Sequence, residues 1–253
     1  MGTTRGFGVD IGGSGIKGSV VDLDAGKLDG ERIRISTPQP SKPDAVADVV
    51  AEIANRFAWE GPIGVTLPAV VKRGKSLTAA NIDKEWIGVD ASALFTERLN
   101  RRPGEVVVLN DADAAGMAEI RYGWPDDRTG VVVLLTFGTG IGSAVFLDGK
   151  LVPNTEFGHL EIDGHDAETR AAASVKDDED LSWAEWTGRV SRYIRALENL
   201  ISPDLVIAGG GVSKKADKWL PLLDVRTRIV PAELRNDAGI VGAAVAAEIG
   251  VQH

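Results

Sequence analysis

One pattern of hydrophobic and polar positions occurs twice along the chain. Residues 7–28 and 131–151 both pass from an apolar strand through a glycine-rich turn into a second apolar strand, and then through an Asp/Gly turn to Lys-Leu. The turn GSGI at residues 13–16 matches the turn GTGI at residues 138–141, an offset of 138 − 13 = 125 residues. Two hairpins of one design predict two related half-molecules.

Between and after the two hairpins, helical and strand-like periods alternate. Apolar residues on one helical stripe predict helices over residues 44–58, 92–100, 112–122, 183–200 and 237–249. Apolar or alternating runs predict strands over residues 31–36, 63–67, 105–109 and 205–208. Residues 70–89 indicate a hairpin followed by a loop, and residues 153–180 indicate a polar, irregular segment.

A hairpin meander followed by helix, strand, helix and strand therefore occurs twice. This order predicts the α/β class with the duplicated, actin-like (ribonuclease H-like) plan, in which a cleft separates two similar domains. We expect residues 1–110 and 236–253 to form the smaller first domain, to which the alanine-rich last helix returns as a covering helix. Residues 111–235 are expected to form the second domain.

Length and composition narrow the class of protein. At 253 residues, with 43% hydrophobic and 26% charged residues, the chain has the make-up of a globular protein with a sizeable core. No apolar run approaches the roughly 20 residues that span a bilayer. The absence of cysteine excludes disulfides and thiolate metal sites, and the N-terminus lacks a signal-peptide pattern, so we expect a cytoplasmic protein. The net charge of −9 argues against binding to nucleic acid or to an anionic membrane, so a polyanionic ligand needs a local cationic patch.

The two glycine turns are candidate phosphate sites. Glycines can take positive φ, let backbone N–H groups converge and leave room for a phosphate to approach closely. The candidates are Gly12, Gly13, Ser14, Thr136, Gly138, Thr139 and Gly140. Each turn alone can equally be an ordinary tight hairpin. The occurrence of both favours one polyphosphorylated ligand held from both sides.

Asp111 is the candidate catalytic base. It follows the apolar strand at residues 105–109 and Asn110, where open α/β sheets expose ligand-binding groups beyond the carboxyl ends of their strands. A carboxylate there can accept a proton from an attacking hydroxyl while Asn110 hydrogen-bonds the same substrate. The alternative is that Asp111 is the N-cap of the helix predicted from Ala112.

The polar segment EFGHLE at residues 156–161 is a candidate site for a ligand rich in hydroxyl groups. Carboxylates and an imidazole can bind paired sugar oxygens, which makes Glu156, His159 and Glu161 substrate-binding candidates. A zinc site at His159 is hard to complete with three histidines and no cysteine, and a surface loop without function is the other alternative. Asn81, in a loop without clear periodicity, is a further candidate for a substrate hydroxyl.

Several other positions can serve a phosphorylated ligand. Asp10 ends an apolar strand before the first glycine turn, and a carboxylate beside bound phosphates usually holds Mg²⁺, often through water. Lys17 supplies a cation for phosphate, although a solvated surface lysine is an equal alternative. Gly210 and Gly211 follow another apolar strand and suit the close approach of a nucleotide or phosphate chain.

Taken in order, five segments resemble the ROK family of sugar kinases and repressors over nearly the whole chain. They are DIGGSGIKG (10–18), LND (109–111), TFGTGIGSA (136–144), EFGHLE (156–161) and AGGGVS (208–213). The segments FGTGIGSA, HLEIDGHDAETRAAAS and NDAGIVGAA are similar, more narrowly, to the actinobacterial polyphosphate glucokinases, including the polyphosphate/ATP glucomannokinases.

The resemblance implies a kinase that transfers a phosphoryl group from inorganic polyphosphate, and from ATP, to the 6-hydroxyl of glucose. Mannose as a second acceptor, and a monomer or a homodimer as the oligomeric state, are left open. Asp111 would be the general base, and Asp10 with Mg²⁺ would manage the charge of the donor. The sugar would be bound by Asn81, Asn110, Glu156, His159 and Glu161. The phosphates would be held by Gly12, Gly13, Ser14, Lys17, Gly138, Thr139 and Gly140, with Gly210 and Gly211 nearer any adenosine. The second domain would then carry the sugar loop, which is the segment EFGHLE at residues 156–161, and most donor contacts.

The resemblance leaves two questions about this chain: what holds the sugar loop, and which side chains bind a polyphosphate chain. Many ROK members carry a zinc-binding cysteine cluster that positions a further sugar-binding Glu, whereas this chain has no cysteine, so we expect packing alone to hold its sugar loop. A polyphosphate chain needs a cationic track, for which the candidates are Lys84, Arg170, Lys214 and Lys215.

Three rival functions are weighed against the kinase. A ROK-type sugar-responsive repressor would carry a helix-turn-helix before the first glycine strand, where this sequence has six residues. A polyphosphate phosphohydrolase of the same fold would need an ordered water in place of a sugar loop. A cytoskeletal actin relative would lack EFGHLE.

Overall fold

The chain forms two compact units in the computed structural model, which describes residues 4–124 and 126–250. One unit comprises the described residues up to Tyr122 together with those from Asp237 onward, and the other comprises residues 123–236. The first unit thus continues past residue 110, where the sequence analysis placed its boundary. The reason is that the helix after Asn110 packs on the C-terminal helix.

The elements before residue 124 belong to the first unit. The strands are β1 (Arg5–Ile11), β2 (Ile16–Asp22), β3 (Lys27–Leu28), β4 (Ile33–Ile35), β5 (Ile63–Leu67), β6 (Val71–Lys72), β7 (Lys75–Ser76) and β8 (Val106–Asn110). The helices are α1 (Pro43–Arg56), α2 (Ala91–Arg98) and α3 (Asp111–Ala118). A π-helical turn, Glu119–Gly123, follows α3, so the helix predicted over residues 112–122 is regular only in its first part.

The second unit and the returning helix complete the chain. The strands are β9 (Val131–Phe137), β10 (Ile141–Leu147), β11 (Lys150–Val152), β12 (Glu161–Ile162), β13 (His165–Asp166), β14 (Leu205–Gly210) and β15 (Arg228–Pro231). The helices are α4 (Glu168–Ala171), α5 (Ala173–Asp178), α6 (Trp183–Ile201), α7 (Ala216–Trp219) and, in the first unit, α8 (Ala238–Ile249). The segment at residues 153–180, predicted to be irregular, contains the short elements β12 to α5. None of the helices among the described residues is long and apolar enough to span a membrane.

The two main sheets have the same topology. The first has the order β3-β2-β1-β5-β8, with β4 also paired to β2, and the second has the order β11-β10-β9-β14-β15. In each, a meander of antiparallel strands is followed by two parallel strands. The repeated hairpins are therefore corresponding elements, and the predicted duplicated α/β plan is confirmed.

Glycines on one face of the first sheet let α8 lie against it. A Cβ atom added at Gly8 would lie 1.9 Å from the carbonyl oxygen of Ile240, and one added at Gly64 would lie 1.8 Å from that of Ala243. The alanine-rich α8 presents small side chains to this face, so backbone meets backbone. On the other face Phe7, with its strand neighbours, packs against buried residues of α1.

Aromatic side chains fix α6 against the second sheet. Trp186 packs edge-on against Trp219, with ring centroids 5.1 Å apart, and against Phe137 at 5.7 Å. Its indole Nε1–H donates to the carbonyl oxygens of Ala171 and Ala172, both at 3.1 Å. These contacts hold the segment that joins α4 to α5 in place.

Candidate functional site

The candidates in the first unit gather at the carboxyl edge of its sheet. Asp10 of β1 lies in register with Thr66 of β5, and Thr66 lies in register with Leu109 of β8. Neighbouring strands are about 4.8 Å apart, so the backbone of Asp10 lies roughly 10 Å from the end of β8, where Asp111 follows. This separation leaves room for a reacting phosphoryl group and the hydroxyl that attacks it.

Asp10 has a cationic and a neutral partner. The Nζ of Lys17 lies 3.3 Å from its Oδ2. The hydroxyl of Thr66 donates to its Oδ1 at 3.0 Å and accepts the backbone N–H of Ile11 at 3.2 Å. Lys17 is therefore fixed at the glycine turn by an ion pair and does not extend freely into solvent. Thr66 was missed by the sequence analysis because an isolated threonine in a buried strand carries no signal of its own.

The first glycine turn is closed by backbone and side-chain hydrogen bonds. The backbone N–H of Gly12 donates to the carbonyl of Gly15 at 3.1 Å. Thr37 donates to the carbonyl of Gly12 at 2.5 Å, and the guanidinium of Arg34 donates to the carbonyl of Ser14 at 2.9 Å. These hydrogen bonds occupy the carbonyl groups of the turn, while Gly13 and Ser14 stay exposed to solvent.

The expected positive φ is absent from the glycines of both turns. Two of these glycines instead let a side chain of another element approach the turn closely. A Cβ at Gly15 would lie 2.6 Å from the guanidinium of Arg34, and a Cβ at Gly140 would lie 2.4 Å from Oε2 of Glu168. Side chains of other elements thus reach the backbone of each turn. A sequence pattern alone does not distinguish this reason for glycine from a conformational one.

Asn81 lies beside the first glycine turn. A Cβ added at Gly13 would lie 3.3 Å from the backbone oxygen of Asn81 and 3.5 Å from its Cβ. The loop is anchored by Trp86, which is fully buried and donates its indole N–H to the carbonyl of Ser41 at 2.9 Å. Asn81 itself is exposed with φ of 59°, a left-handed conformation that asparagine tolerates well.

Asn110, and not Asp111, is the N-cap of α3. Its Oδ1 accepts the backbone N–H groups of Ala112 at 2.8 Å and Asp113 at 3.1 Å, and its Nδ2 donates to the carbonyl of Ala69 at 3.2 Å. The alternative interpretation of Asp111 as the cap is therefore wrong. Asp111 is the half-buried first residue of α3 and lies at the positive end of the helix dipole.

Hydrogen bonds within the turn and from Ser174 also close the second glycine turn. The backbone N–H of Gly138 donates to the carbonyl of Gly140 at 2.9 Å. Ser174 closes the turn from α5, because its backbone N–H donates to the carbonyl of Gly138 at 3.0 Å and its hydroxyl donates to that of Thr139 at 2.8 Å. Thr136 precedes the turn and is half-buried, while Gly138 and Thr139 are exposed.

Glu168 joins the second glycine turn to the sugar-loop candidates. Its Oε2 accepts the backbone N–H of Ile141 at 3.1 Å, and its Oε1 lies 3.8 Å from Nδ1 of His159. Gly158 also lies close to both residues, because a Cβ there would lie 2.3 Å from the carbonyl oxygen of Ile141 and 3.2 Å from Oε2 of Glu168. Glu168 and Ser174 both lie in the segment HLEIDGHDAETRAAAS, yet no local pattern separates them from its other polar residues.

Glu156 and His159 share an electrostatic environment. Burial raises the pKa of the Glu156 carboxyl above its usual value, His159 opposes the shift and Glu168 adds to it. His159 Nδ1 lies 3.2 Å from Oδ2 of Asp166. With the Nδ1 proton on this hydrogen bond, Nε2 is left as the acceptor for a ligand hydroxyl.

The sugar-loop region is held by polar contacts as well as by packing. In addition to the His159–Asp166 hydrogen bond, Arg192 of α6 forms an ion pair with Asp163 at 3.0 Å. The expectation of packing alone is therefore wrong. Glu161 is exposed and lies in register with Asp166, so it is on the same hairpin as the partner of His159.

A cavity of about 350 Å³ lies at the second glycine turn. Its lining includes Gly138, Ser174, Gly211, Lys176 and Lys215. The ammonium groups of the two lysines lie 4.7 and 6.0 Å from the ring centroid of Trp183, which also lines the cavity. The cavity thus combines exposed turn backbone, a hydroxyl group and two cations.

The neighbouring glycines Gly210 and Gly211 have different roles. Gly210 has φ of 82°, and a Cβ there would lie 2.2 Å from the carbonyl oxygen of Phe137, so glycine is required by the local backbone. Gly211 has open space on the side where a Cβ would stand, and it lines the cavity. Of the candidate cations for a phosphate track, Lys215 lines this cavity and Arg170 lines another, while Lys84 and Lys214 are exposed.

Known proteins are similar to this chain over most of its length. The sequence profile of the ROK family matches residues 6–179. The polyphosphate glucokinase of Mycobacterium tuberculosis is 58% identical over 249 residues, which is 98% of this chain and 93% of that protein.

Solved structures extend the similarity to the fold. The inorganic polyphosphate/ATP-glucomannokinase from Arthrobacter sp. strain KM aligns with a TM-score of 0.92 and 51% identity, covering 98% of this chain and all of that one. A ROK family glucokinase from Streptomyces griseus, solved with glucose and AMPPNP, aligns with a TM-score of 0.80 at 24% identity, covering 98% of this chain and 100% of that one, and supports the fold alone.

Proposed function

The chain belongs to the ROK family, and from this membership we propose that it is a glucokinase that transfers a phosphoryl group from inorganic polyphosphate to the 6-hydroxyl of glucose. The observation that carries the proposal is the position of Asp111. It begins α3 at the same sheet edge as Asp10 and the first glycine turn. The polyphosphate glucokinase relative in M. tuberculosis supports the choice of donor and acceptor.

In this mechanism the 6-hydroxyl oxygen of glucose attacks the terminal phosphorus of the donor. A new P–O bond forms, the bond to the shortened phosphate chain breaks, and Asp111 accepts the hydroxyl proton. Asn81, Asn110, Glu156, His159 and Glu161 hold the sugar hydroxyls. Because Asn110 is already a helix cap and a partner of Ala69, only its second Nδ2 hydrogen is left for the sugar.

The phosphates are held by the turns and their neighbouring cations. Backbone N–H groups of Gly13, Ser14, Thr139 and Gly140 and the hydroxyl of Thr136 contact the transferring and leaving groups, with Lys17 nearby. The N–H groups of Gly12 and Gly138 donate within their own turns and hold each turn in shape. Gly211 provides the open approach to the rest of the donor, and Gly210 sets the backbone there. The cavity with Lys176 and Lys215 receives the leaving chain or, when ATP is the donor, the remainder of the nucleotide.

The residues around Asp10 fit a magnesium ion held through water. Each carboxylate oxygen has one protein partner, which leaves lone pairs for water in the shell of the ion. A Cβ at Gly239 would lie 2.9 Å from Cγ of Asp10, so the space beside the carboxylate depends on a residue without a side chain. When bound, Mg²⁺ supplies neutralisation of the charge on the donor phosphates.

We extend the proposal to ATP as a second donor and to mannose as a second acceptor. The glucomannokinase from Arthrobacter sp. supports both by its name. A coupled assay in which each donor, polyphosphate or ATP, is combined with each acceptor, glucose or mannose, measures the rate of all four reactions.

The Asp111→Asn variant tests the mechanism. Because asparagine cannot accept the hydroxyl proton, kcat with polyphosphate is expected to fall roughly 10²- to 10⁴-fold, while glucose affinity measured by calorimetry changes little. Asp224→Asn, at an exposed ion pair with Arg195 of α6, is the control and should retain wild-type kcat. Full activity of Asp111→Asn would overturn the assignment of the base.

The same assay separates the kinase from a polyphosphate phosphohydrolase. Phosphate release from polyphosphate is measured with and without glucose. We expect glucose 6-phosphate to form only with glucose and little phosphate to be released in its absence. Rapid release that is unaffected by glucose would favour the hydrolase.

A further inference from the structure

A second cavity in residues 123–236 is lined by basic side chains. It has a volume of about 560 Å³ and lies between the β12–β13 hairpin, α4 and α6. Its lining includes Arg170, Arg189, Arg192, His165 and Tyr193. We call it the arginine cavity.

The arginines of this cavity form weak ion pairs or none with carboxylates of the described residues. Arg192 pairs with the exposed Asp163, and Arg189 pairs with Glu179 at 2.7 Å. Ion pairs of this exposure are weak, so a phosphate can compete with the carboxylate for each guanidinium group. Arg170 donates to Nε2 of His165 at 3.0 Å and, among the described residues, has no carboxylate within ion-pair distance.

The lining itself contains fewer carboxylates than arginines. The carboxylates are Asp163 and Glu185, against three arginines, and Glu185 is turned onto the N-terminus of α6, where it accepts from the backbone N–H and the hydroxyl of Ser182. Arg189 is balanced by Glu179 and Arg192 by Asp163, so Arg170 is the arginine of the lining that has no carboxylate at ion-pair distance among the described residues.

Tyr193 provides an independent indication of a ligand. Its side chain is 1% exposed, and no residue that the structure describes forms a hydrogen bond with its hydroxyl. A buried hydroxyl left in this state destabilises the folded protein. Because Tyr193 lines the cavity, a ligand oxygen there can accept its proton.

The remaining wall leaves space for a ligand of some size. Gly188 of α6 lines the cavity, and no atom lies within 4 Å of the position that its Cβ would occupy. Planar guanidinium groups match the paired oxygens of phosphates. The volume exceeds that of one phosphate and suits two or three linked phosphates or a sugar phosphate.

We propose that the arginine cavity is a second anion-binding site for a phosphate-bearing ligand, held by Arg170, Arg192 and the hydroxyl of Tyr193. Its chemistry is that of phosphate oxyanions, which in the proposed reaction come either from a remote part of the polyphosphate donor or from the sugar phosphate product. The identity of the ligand rests on the proposed function, but the binding of anions does not.

Calorimetry with tripolyphosphate and the full chain tests the site. Wild-type protein is expected to bind at the arginine cavity in addition to the glycine turns, and Arg170→Gln and Arg192→Gln are each expected to weaken the second binding event at least tenfold. Arg195→Gln is the matched control, because Arg195 lies on the same helix and pairs with the exposed Asp224. Unchanged tripolyphosphate binding in both cavity variants would overturn the proposal.

Tyr193→Phe separates ligand binding from a structural role. Removing an unpaired buried hydroxyl should raise Tm, while the affinity of the second site for tripolyphosphate should fall several-fold. A purely structural tyrosine would change Tm alone, and that result would contradict the role of its hydroxyl in binding.

Steady-state kinetics identify the source of the phosphate. If the donor chain occupies the cavity, Arg170→Gln raises KM for long polyphosphate and leaves KM for ATP unchanged. If the product occupies it, the variant relieves inhibition by glucose 6-phosphate. Because tripolyphosphate binding is measured without turnover, an inactive enzyme with an intact second site would refute the proposed function and not this one.

Discussion

At the scale of single residues, Glu156 shows how burial prepares a carboxyl group. Desolvation raises its pKa, and the nearby Glu168 acts in the same direction against His159. If the ionised form binds glucose, protonation should weaken binding at a higher pH than the ~4.3 of an ordinary glutamate. We expect KM for glucose to rise as pH falls through this range in the wild type and to vary less with pH in Glu156→Gln.

A stability measurement checks the same shift. The pKa of Glu156 is higher in the folded state than in the unfolded state. Its contribution to the stability of the fold is therefore complete below the unfolded-state pKa and is lost as the pH rises through the folded-state pKa. Glu156→Gln should therefore have a higher Tm than wild type at pH 7, and the difference should disappear in acid. The exposed variant Asp224→Asn is the control. A pH-independent difference would show that charge is not the cause.

At the scale of elements, close contact between α8 and the first sheet decides which glycines are replaceable. A Cβ at Gly64 would overlap the carbonyl of Ala243, whereas a Cβ at Gly188 of α6 meets no atom within 4 Å. Gly64→Ala should destabilise the protein by about 1–3 kcal/mol or more through overpacking. Gly188→Ala should stabilise it by about 0.5–1 kcal/mol, because alanine loses less backbone entropy in a helix.

Urea unfolding of the two variants measures these opposite effects. Both substitutions are glycine to alanine, so each serves as the control for the other. Equal changes in the free energy of unfolding would contradict the close packing of β5 against α8.

At the scale of the whole molecule, metal should matter for transfer and not for folding. The chain has no cysteine, and within the part of it that the structure describes no group of three or more His, Asp or Glu residues is placed to hold a metal ion. A Mg²⁺ ion shared with donor phosphates and water would therefore be removed by EDTA without loss of structure. We expect EDTA to abolish transfer, Mg²⁺ to restore it, and Tm without substrate to stay unchanged. A fall of Tm in EDTA would reveal a structural metal.

Much of the chain could be predicted from its sequence because the signals are local. The helices near residues 44–58, 183–200 and 237–249 and the strand at 63–67 follow from hydrophobic periodicity, which acts over a few residues. The repeated glycine hairpin predicted the duplication, since both copies retain the strand, turn and strand in one order. The sequence by itself thus determined the architecture and the residues that follow each strand.

The tertiary structure decided which partner each residue meets, because contacts between distant segments leave no local pattern. It made Asn110 the helix cap in place of Asp111, fixed Lys17 to Asp10, and brought Glu168 between Ile141 and His159. It also placed Arg34 against Gly15 and Glu168 against Gly140, two turn glycines that do not take positive φ. A carboxylate or a glycine has the same letter in either role, and only the segment packed against it selects between them.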